Sequence, residues 1–333
     1  MRTGGRRPAP RWLTAVALAV CCAAGCDQRP THAGPWRVAV LEPDDPAPSG
    51  ELREGLLEGL AEGGVTDAAQ QGWQTIRAPA ATLADQARAQ LGAGTDLALA
   101  VTTAGLTAAE RVAPAIAFTG VADPSAAGIS DPPLLAGWIP WLFAPDGPPT
   151  TGAYALTDFA ALLEVAEPIL PDRELGAVFA PGDADSVAFR DQLRASADRA
   201  LASAPLAGDD PGAAVRALCD QQVGILLLLG DRTTDAVAPA LVRAARSCAM
   251  VVLGTRRAHA EAGAVLTVPR DDRAAARAAG RRAAALLRGG RPHLEAFERL
   301  SNASLVLNAQ AADQVGIGLP LALIEQADEV IGD

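Results

Sequence analysis

The residues of this chain best suited to chemistry lie in short segments that each follow an apolar run. They are Glu42-Pro43, Thr102-Thr103, Thr119-Gly120-Val121-Ala122-Asp123-Pro124, Pro181-Gly182-Asp183-Ala184-Asp185-Ser186, Gly230-Asp231-Arg232-Thr233-Thr234, Gly254-Thr255-Arg256-Arg257 and Pro269-Arg270. Hydroxyls, carboxylates and glycines at such places suit hydrogen-bonded recognition of a small polar molecule, and the free amides of a helix start add a site for a carboxylate. Each segment also precedes a helical stretch, so the same side chains serve equally well as N-caps. Covalent chemistry has little to work with. All 28 basic residues are arginine, which excludes Schiff-base, P-loop and Ser-x-x-Lys mechanisms. There is no His-Glu-x-x-His, Cys-x-x-Cys, Gly-x-Ser-x-Gly or strand-following Gly-x-Gly-x-x-Gly motif. His32, His259 and His293 lie too far apart in the chain to suggest a metal site. The acid pairs Asp44-Asp45, Asp209-Asp210 and Asp271-Asp272 fall in turns or helix starts, where solvated carboxylates are expected. The expectation is a protein that is not an enzyme and carries no metal or cofactor.

The elements that must position these segments alternate between strand and helix. Arg37–Leu41, Trp73–Arg77, Asp96–Val101 and Ala115–Thr119 read as strands, with helical spacing over Glu51–Ala61, Ala81–Leu91 and Ala104–Arg111 between them. A stretch rich in proline and tryptophan, from Pro132 through Trp138 and Trp141 to Pro149, then holds neither helix nor central strand. Alternation resumes with strands at Gly152–Leu156, Glu174–Ala180, Val223–Leu229, Met250–Leu253 and Ala264–Val268, and helices at Asp158–Leu170, Val187–Ala204 and Asp235–Arg246. Such a series implies βαβ units and parallel sheets covered on both faces. The expected fold is α/β, with two Rossmann-like lobes joined by a hinge. The first lobe spans 37–150, with 271–290 returning to it; the second spans 151–270, with 303–333 closing the structure. Ligands of open parallel sheets bind outside the carboxyl ends of the strands, which places the hydroxyl- and carboxylate-rich segments around an interlobe cleft.

The chain has 333 residues, half of them hydrophobic, and a net charge of −11. An acidic chain lacks the basic stripe that phosphate backbones need, so nucleic acid is not an expected partner. Residues 1–25 read as an export signal, with Arg2, Arg6, Arg7 and Arg11 ahead of an apolar stretch, Trp12 to Ala24, too short to span a bilayer. Ala23-Ala24-Gly25-Cys26 resembles the bacterial lipoprotein box, which makes Cys26 the expected site of lipidation. Residues 26–36 then form a tether, and Asp27 and Gln28 resemble the residues that hold lipoproteins at the inner membrane of Gram-negative bacteria. Without the four leader arginines, 24 bases face 39 acids, and the exported chain carries −15. Attachment to the membrane would then rest on acyl chains rather than on electrostatics.

Cys21 and Cys22 leave with the leader, so Cys219 and Cys248 are the remaining thiols. Each lies just ahead of an apolar run. If those runs are neighbouring parallel strands, both cysteines sit at one edge of the sheet, where an oxidising compartment would pair them; two free buried thiols are the alternative.

Spaced motifs across the chain carry a family resemblance. They are Val38-Ala39-Val40-Leu41, Glu54 to Glu62, Asp96-Leu97 through Ala104, Ala117 to Pro124 with Ala127-Gly128, Pro181 to Ser186, and Leu305-Val306-Leu307-Asn308 with Ala327 to Ile331. In this order they are similar to the ABC-transporter substrate-binding lipoproteins of the tryptophan/tyrosine type, which have the type I periplasmic-binding-protein fold. The resemblance implies an extracytoplasmic monomer that holds a small solute between its lobes. It would hand that solute to a membrane permease driven by a separate ATPase. It also implies ligand contacts from Thr102, Thr103, Phe118, Thr119 and Asp123 in the first lobe, and from Asp183, Ser186, Asp231, Thr233 and Thr255 in the second. Arg232, Arg256-Arg257 and Arg270 depart from the family pattern and admit a more anionic ligand than an aromatic amino acid, because guanidinium forks pair with carboxylates. A lipoprotein that senses a ligand for a membrane receptor or sensor kinase is the alternative function.

Overall fold

The computed structural model describes residues 35–332 apart from 45–49, 67–72, 92–93, 134–135, 137–146, 171–172, 209 and 303. The leader, Cys26, nearly all of the tether, Trp138 and Trp141 lie outside the described residues. No helix among the described residues is long and apolar enough to cross a membrane.

Unbroken apolar runs such as Leu97–Val101 are buried along their whole length, and helices between them supply the cover. The first series is β1 (Val38–Pro43), α1 (Gly50–Glu62), β2 (Gln74–Ala78), α2 (Leu83–Gln90), β3 (Leu97–Val101), α3 (Thr102–Glu110), β4 (Ile116–Thr119) and β5 (Thr150–Ala155). The second is α4 (Phe159–Ala166), β6 (Leu175–Phe179), α5 (Ala184–Ser196), β7 (Leu201–Pro205), α6 (Pro211–Asp220), β8 (Ile225–Leu227), α7 (Arg232–Asp235), α8 (Ala238–Ser247), β9 (Val251–Gly254), α9 (Arg257–Ala262) and β10 (Leu266–Thr267). The chain ends with α10 (Asp272–Leu287), β11 (Glu298–Leu300), β12 (Val306–Asn308), α11 (Ala309–Gln314), α12 (Leu321–Gln326) and β13 (Glu329–Ile331).

Two sheets result, ordered β11-β5-β4-β3-β1-β2 and β13-β12-β10-β9-β8-β6-β7. All pairings are parallel except β10 with β12. The second core strand lies at one side and the first beside it in both sheets, so the two lobes share one winding. The chain passes between them after β5, after β10 and after β11.

The pairing of Ile116 with Thr150 and of Phe118 with Gly152 puts β5 in the first sheet. The segment expected to open the second lobe at residue 151 therefore completes the first, and the crossing lies after Ala155. Leu201–Pro205 is an edge strand, although its alanines and polar residues read as the end of a helix from Val187 to Ala204. That helix ends at Ser196.

Helix α10 packs on α1 in the first lobe. The two run parallel with glycine at the contact: a Cβ on Gly55 or Gly59 would collide with the carbonyl of Arg273 or Arg277, and one on Gly280 with that of Leu56. Helix axes this close leave little freedom to slide, so the first turns of α1 and α10 present Glu51, Leu52 and Asp272 as one fixed edge of the cleft. In the second lobe Cys219, in the last turn of α6, and Cys248, just after α8, form a disulfide with Cα atoms 6.1 Å apart.

Candidate functional site

Thr102 marks where the first lobe meets the cleft. Helix α3 starts directly at the end of β3, and the turn forces Thr102 to φ +71°, a conformation that a β-branched residue rarely adopts. Its hydroxyl is buried without a hydrogen-bond partner. The next residue faces across the interface. Thr103 donates to Asp185 of the second lobe from its hydroxyl at 2.5 Å and its amide at 3.2 Å, and Ala122 adds its amide at 2.8 Å. Burial pushes the Asp185 carboxyl up to about 6 despite the three donors, since removal from water disfavours the charged form.

Beside this contact lies a cavity of about 320 Å³ between the lobes. Its charged lining is Asp185, Asp231, Asp235 and Asp272 with Arg232, Arg256 and Arg270; Leu52, Val121 and Phe189 are among its apolar walls. The arginines do not form a free positive patch. Arg256 pairs with Asp272, approaches Asp235 at 3.2 Å, and reaches Glu51 at 3.8 Å. Arg270 faces Asp272 at 3.4 Å, and Arg232 faces Asp183 at 3.5 Å. Asp272 and Glu51 belong to the first lobe and Arg256 to the second, so this ion network is the second tie across the cleft. Burial alone would raise the Asp272 carboxyl, but Arg270 and Arg256 outweigh it and hold the group below its ordinary value. Burial raises the Asp231 carboxyl, opposed by bonds from Thr234. His259 is buried behind the network. Its Nδ1 accepts from the Thr255 amide at 3.1 Å, which leaves Nε2–H to donate to Asp235 at 2.7 Å and to fix the carboxylate beside Arg256.

Of the residues expected to hold a ligand, Thr102 and Asp231 line this cavity. Others build its frame. Asp183 caps α5 through the Asp185 amide and accepts from the Thr233 hydroxyl at 2.6 Å, joining two loops. Ser186 accepts from the Ala180 amide at 2.8 Å, and the Thr255 hydroxyl donates to the Leu228 carbonyl at 3.0 Å. Thr119 is buried at the end of β4, beneath the Gly120 and Val121 walls. Three expectations are corrected. Phe118 is wholly buried in the first-lobe core, its ring edge-to-face with Phe297 at 4.8 Å, because its place on β4 turns it toward the covering layer rather than the strand end. Asp123 caps the turn Pro124–Ala127 by accepting from the Ser125 amide and hydroxyl, and does not line the cavity. Asp272, expected to be solvated, is buried between two arginines.

Among the lining residues that sequence reading passed over are Leu52, Phe189, Asp235 and Asp272. Leu52 and Phe189 lie within helical stretches whose apolar stripes gave them to the core. Asp272 had a signal, since it lies two residues after Pro269-Arg270 and heads the helix that returns to the first lobe. Among the described residues no group of three or more His, Cys, Asp or Glu is placed to hold a metal ion.

The profile of a family described as ABC transporter substrate binding protein matches residues 37–331. The chain belongs to this family. This binding protein is therefore grouped with proteins that hold substrates outside the cytoplasm and not with enzymes. No curated protein gives a significant match to its sequence. Among solved structures it is similar to a conserved domain protein from Vibrio cholerae (24% identity, 89% of this chain and 100% of that one, TM-score 0.76). It is also similar to an ABC domain in complex with L-Trp from Streptococcus pneumonia (19% identity, 88% and 99%, TM-score 0.70). A ligand-free, open substrate binding protein with adhesive properties from Clostridium difficile follows (15% identity, 89% and 98%, TM-score 0.56). At these identities the likeness is one of fold, and the binding protein shares the periplasmic-binding-protein architecture.

Proposed function

We propose that this protein captures a small zwitterionic solute of the amino-acid class in the interlobe cleft and delivers it to the permease of an ABC importer. The observation that carries this reading is the mixed lining of the cavity, in which Asp185, Asp231, Asp235 and Asp272 stand with Arg232, Arg256 and Arg270. Such a site offers a ligand ammonium the Asp231 carboxylate, which faces no arginine among the ion pairs of the described cleft residues, and offers a ligand carboxylate a hydroxyl donor. Asp231 is the group that faces the ligand ammonium. The Thr102 hydroxyl, already desolvated, donates to the ligand carboxylate. A volume near the lower end of the range for ligand pockets suits a molecule of amino-acid size. The pneumococcal neighbour holds L-Trp, which makes amino acids the first class to test.

Cys26 is the proposed lipid anchor, holding the protein on the outer face of the cell membrane near the permease. Incorporation of labelled palmitate that disappears in Cys26→Ala supports the anchor, whereas persistent labelling rejects it. For the cleft, a thermal-shift screen of amino acids, dicarboxylates and phosphonates is the direct test. A zwitterion that stabilises the protein supports the reading, since a ligand bound to the native state alone adds RT ln(1 + [L]/Kd). Stabilisation by dicarboxylates or phosphonates alone contradicts it.

A further inference from the structure

We propose that Arg270 is a specificity-determining residue that closes the cleft to aromatic side chains. The inference rests on reading the cavity as the ligand site, and it concerns which solutes fit there. Phe189 is the single aromatic among the described residues that line the cavity. A bare phenyl face in a binding cleft would be a stacking platform for an indole or phenol. Here that face is covered: the guanidinium carbon of Arg270 lies 4.4 Å from the ring centroid.

The cover is fixed in place. Arg270 donates to the Gly230 carbonyl at 2.6 Å and to the Thr157 hydroxyl at 3.2 Å, and it faces Asp272 at 3.4 Å. These partners come from a second-lobe loop, the first crossing segment and the first turn of α10. The side chain is only 5% exposed, so no open solvent is available for it to swing into. A stacked, desolvated guanidinium with three polar partners resists displacement by a neutral ring, which offers none of the lost charge pairing. What remains beside it is space bounded by short side chains such as Ala155 and Ala236, together with the charged groups.

The test compares wild type with Arg270→Ala and Arg270→Gln, each checked for native circular dichroism, in calorimetric titrations with indole and with L-tryptophan. Indole probes the Phe189 face without needing the charged subsites. The wild type is expected to give no heat with either compound at millimolar concentration. Arg270→Ala is expected to bind indole at least tenfold more tightly than wild type, with a smaller gain in Arg270→Gln, which keeps a donor for Gly230. Tryptophan binding by the wild type overturns the proposal, as does a folded variant that takes indole no better than wild type. A wild type that binds no amino acid at all speaks against the cleft reading, and the indole comparison still decides this one.

Discussion

The hydroxyl of Thr103 donates to the carboxylate of Asp185 at 2.5 Å, from one lobe to the other. In an open form, with the lobes apart, Asp185 would return to water and titrate near the ordinary 3.8; in the closed form it titrates at about 6. The closed form therefore holds the Asp185 proton more tightly. Closure of the ligand-free protein should be favoured by acid, fully below about pH 4, with the advantage lost as pH rises through about 6. The gap between the two values sets an upper bound on the order of a hundredfold in the closure equilibrium. Fluorescence transfer between dyes on the two lobes, followed from pH 7.5 to 5, checks this; Asp185→Asn should flatten the profile. A slope unchanged in that variant assigns the effect to another group.

The Arg256 network predicts a stability cost. Arg256→Ala leaves Asp272 buried with one fewer cation and Asp235 with His259 alone, and breaking a buried pair typically costs about 3–5 kcal/mol. The side chain keeps some solvent contact, which places the expected loss near the lower end of that range. Urea unfolding measures it, and a loss under about 1 kcal/mol would show that the pair is worth no more than a surface ion pair.

Gly59→Ala tests whether the spacing of α1 and α10 holds the first-lobe edge of the cleft. The new methyl meets the Arg277 backbone rather than a movable side chain, so overpacking should destabilise the fold by about 1–3 kcal/mol. Since α1 carries Leu52 to the cavity, ligand affinity should fall as well. A variant with reduced stability and unchanged affinity would separate the helix contact from the site.

Cys219 and Cys248 close a loop with a sequence separation of 29, for which the chain-entropy account gives about 3–4 kcal/mol. The double serine variant should unfold at lower urea concentration by that amount, and reductant should lower the wild type to match while leaving the variant unchanged.

Much of this architecture is legible in the sequence, because parallel strands buried on both faces leave unbroken apolar runs such as Leu97–Val101. Strands lacking that signature went unseen. Leu201–Pro205 is a half-buried edge strand, and Glu298–Leu300 and Glu329–Ile331 are short edge strands that carry charged residues. The site was legible where a residue sits just past a strand end, as Thr102 and Asp231 do. It was not legible where the wall comes from a helix face, as with Leu52 and Phe189, since periodicity assigns such residues to a core without saying which core surface stays open. Phe118 shows the reverse error: it lies one residue before a strand end, and that one-residue shift turns it into the layer beneath.

On the proposed function, a zwitterion is held between the lobes with its ammonium on Asp231. Calorimetric titration of wild type and Asp231→Asn with the best amino acid from the thermal screen tests it most directly. Asparagine keeps an oxygen to cap α7 and removes only the charge. Loss of a buried charge partner predicts an affinity drop of roughly a hundredfold or more, with unfolding little changed. Equal affinity in the two proteins would contradict the account.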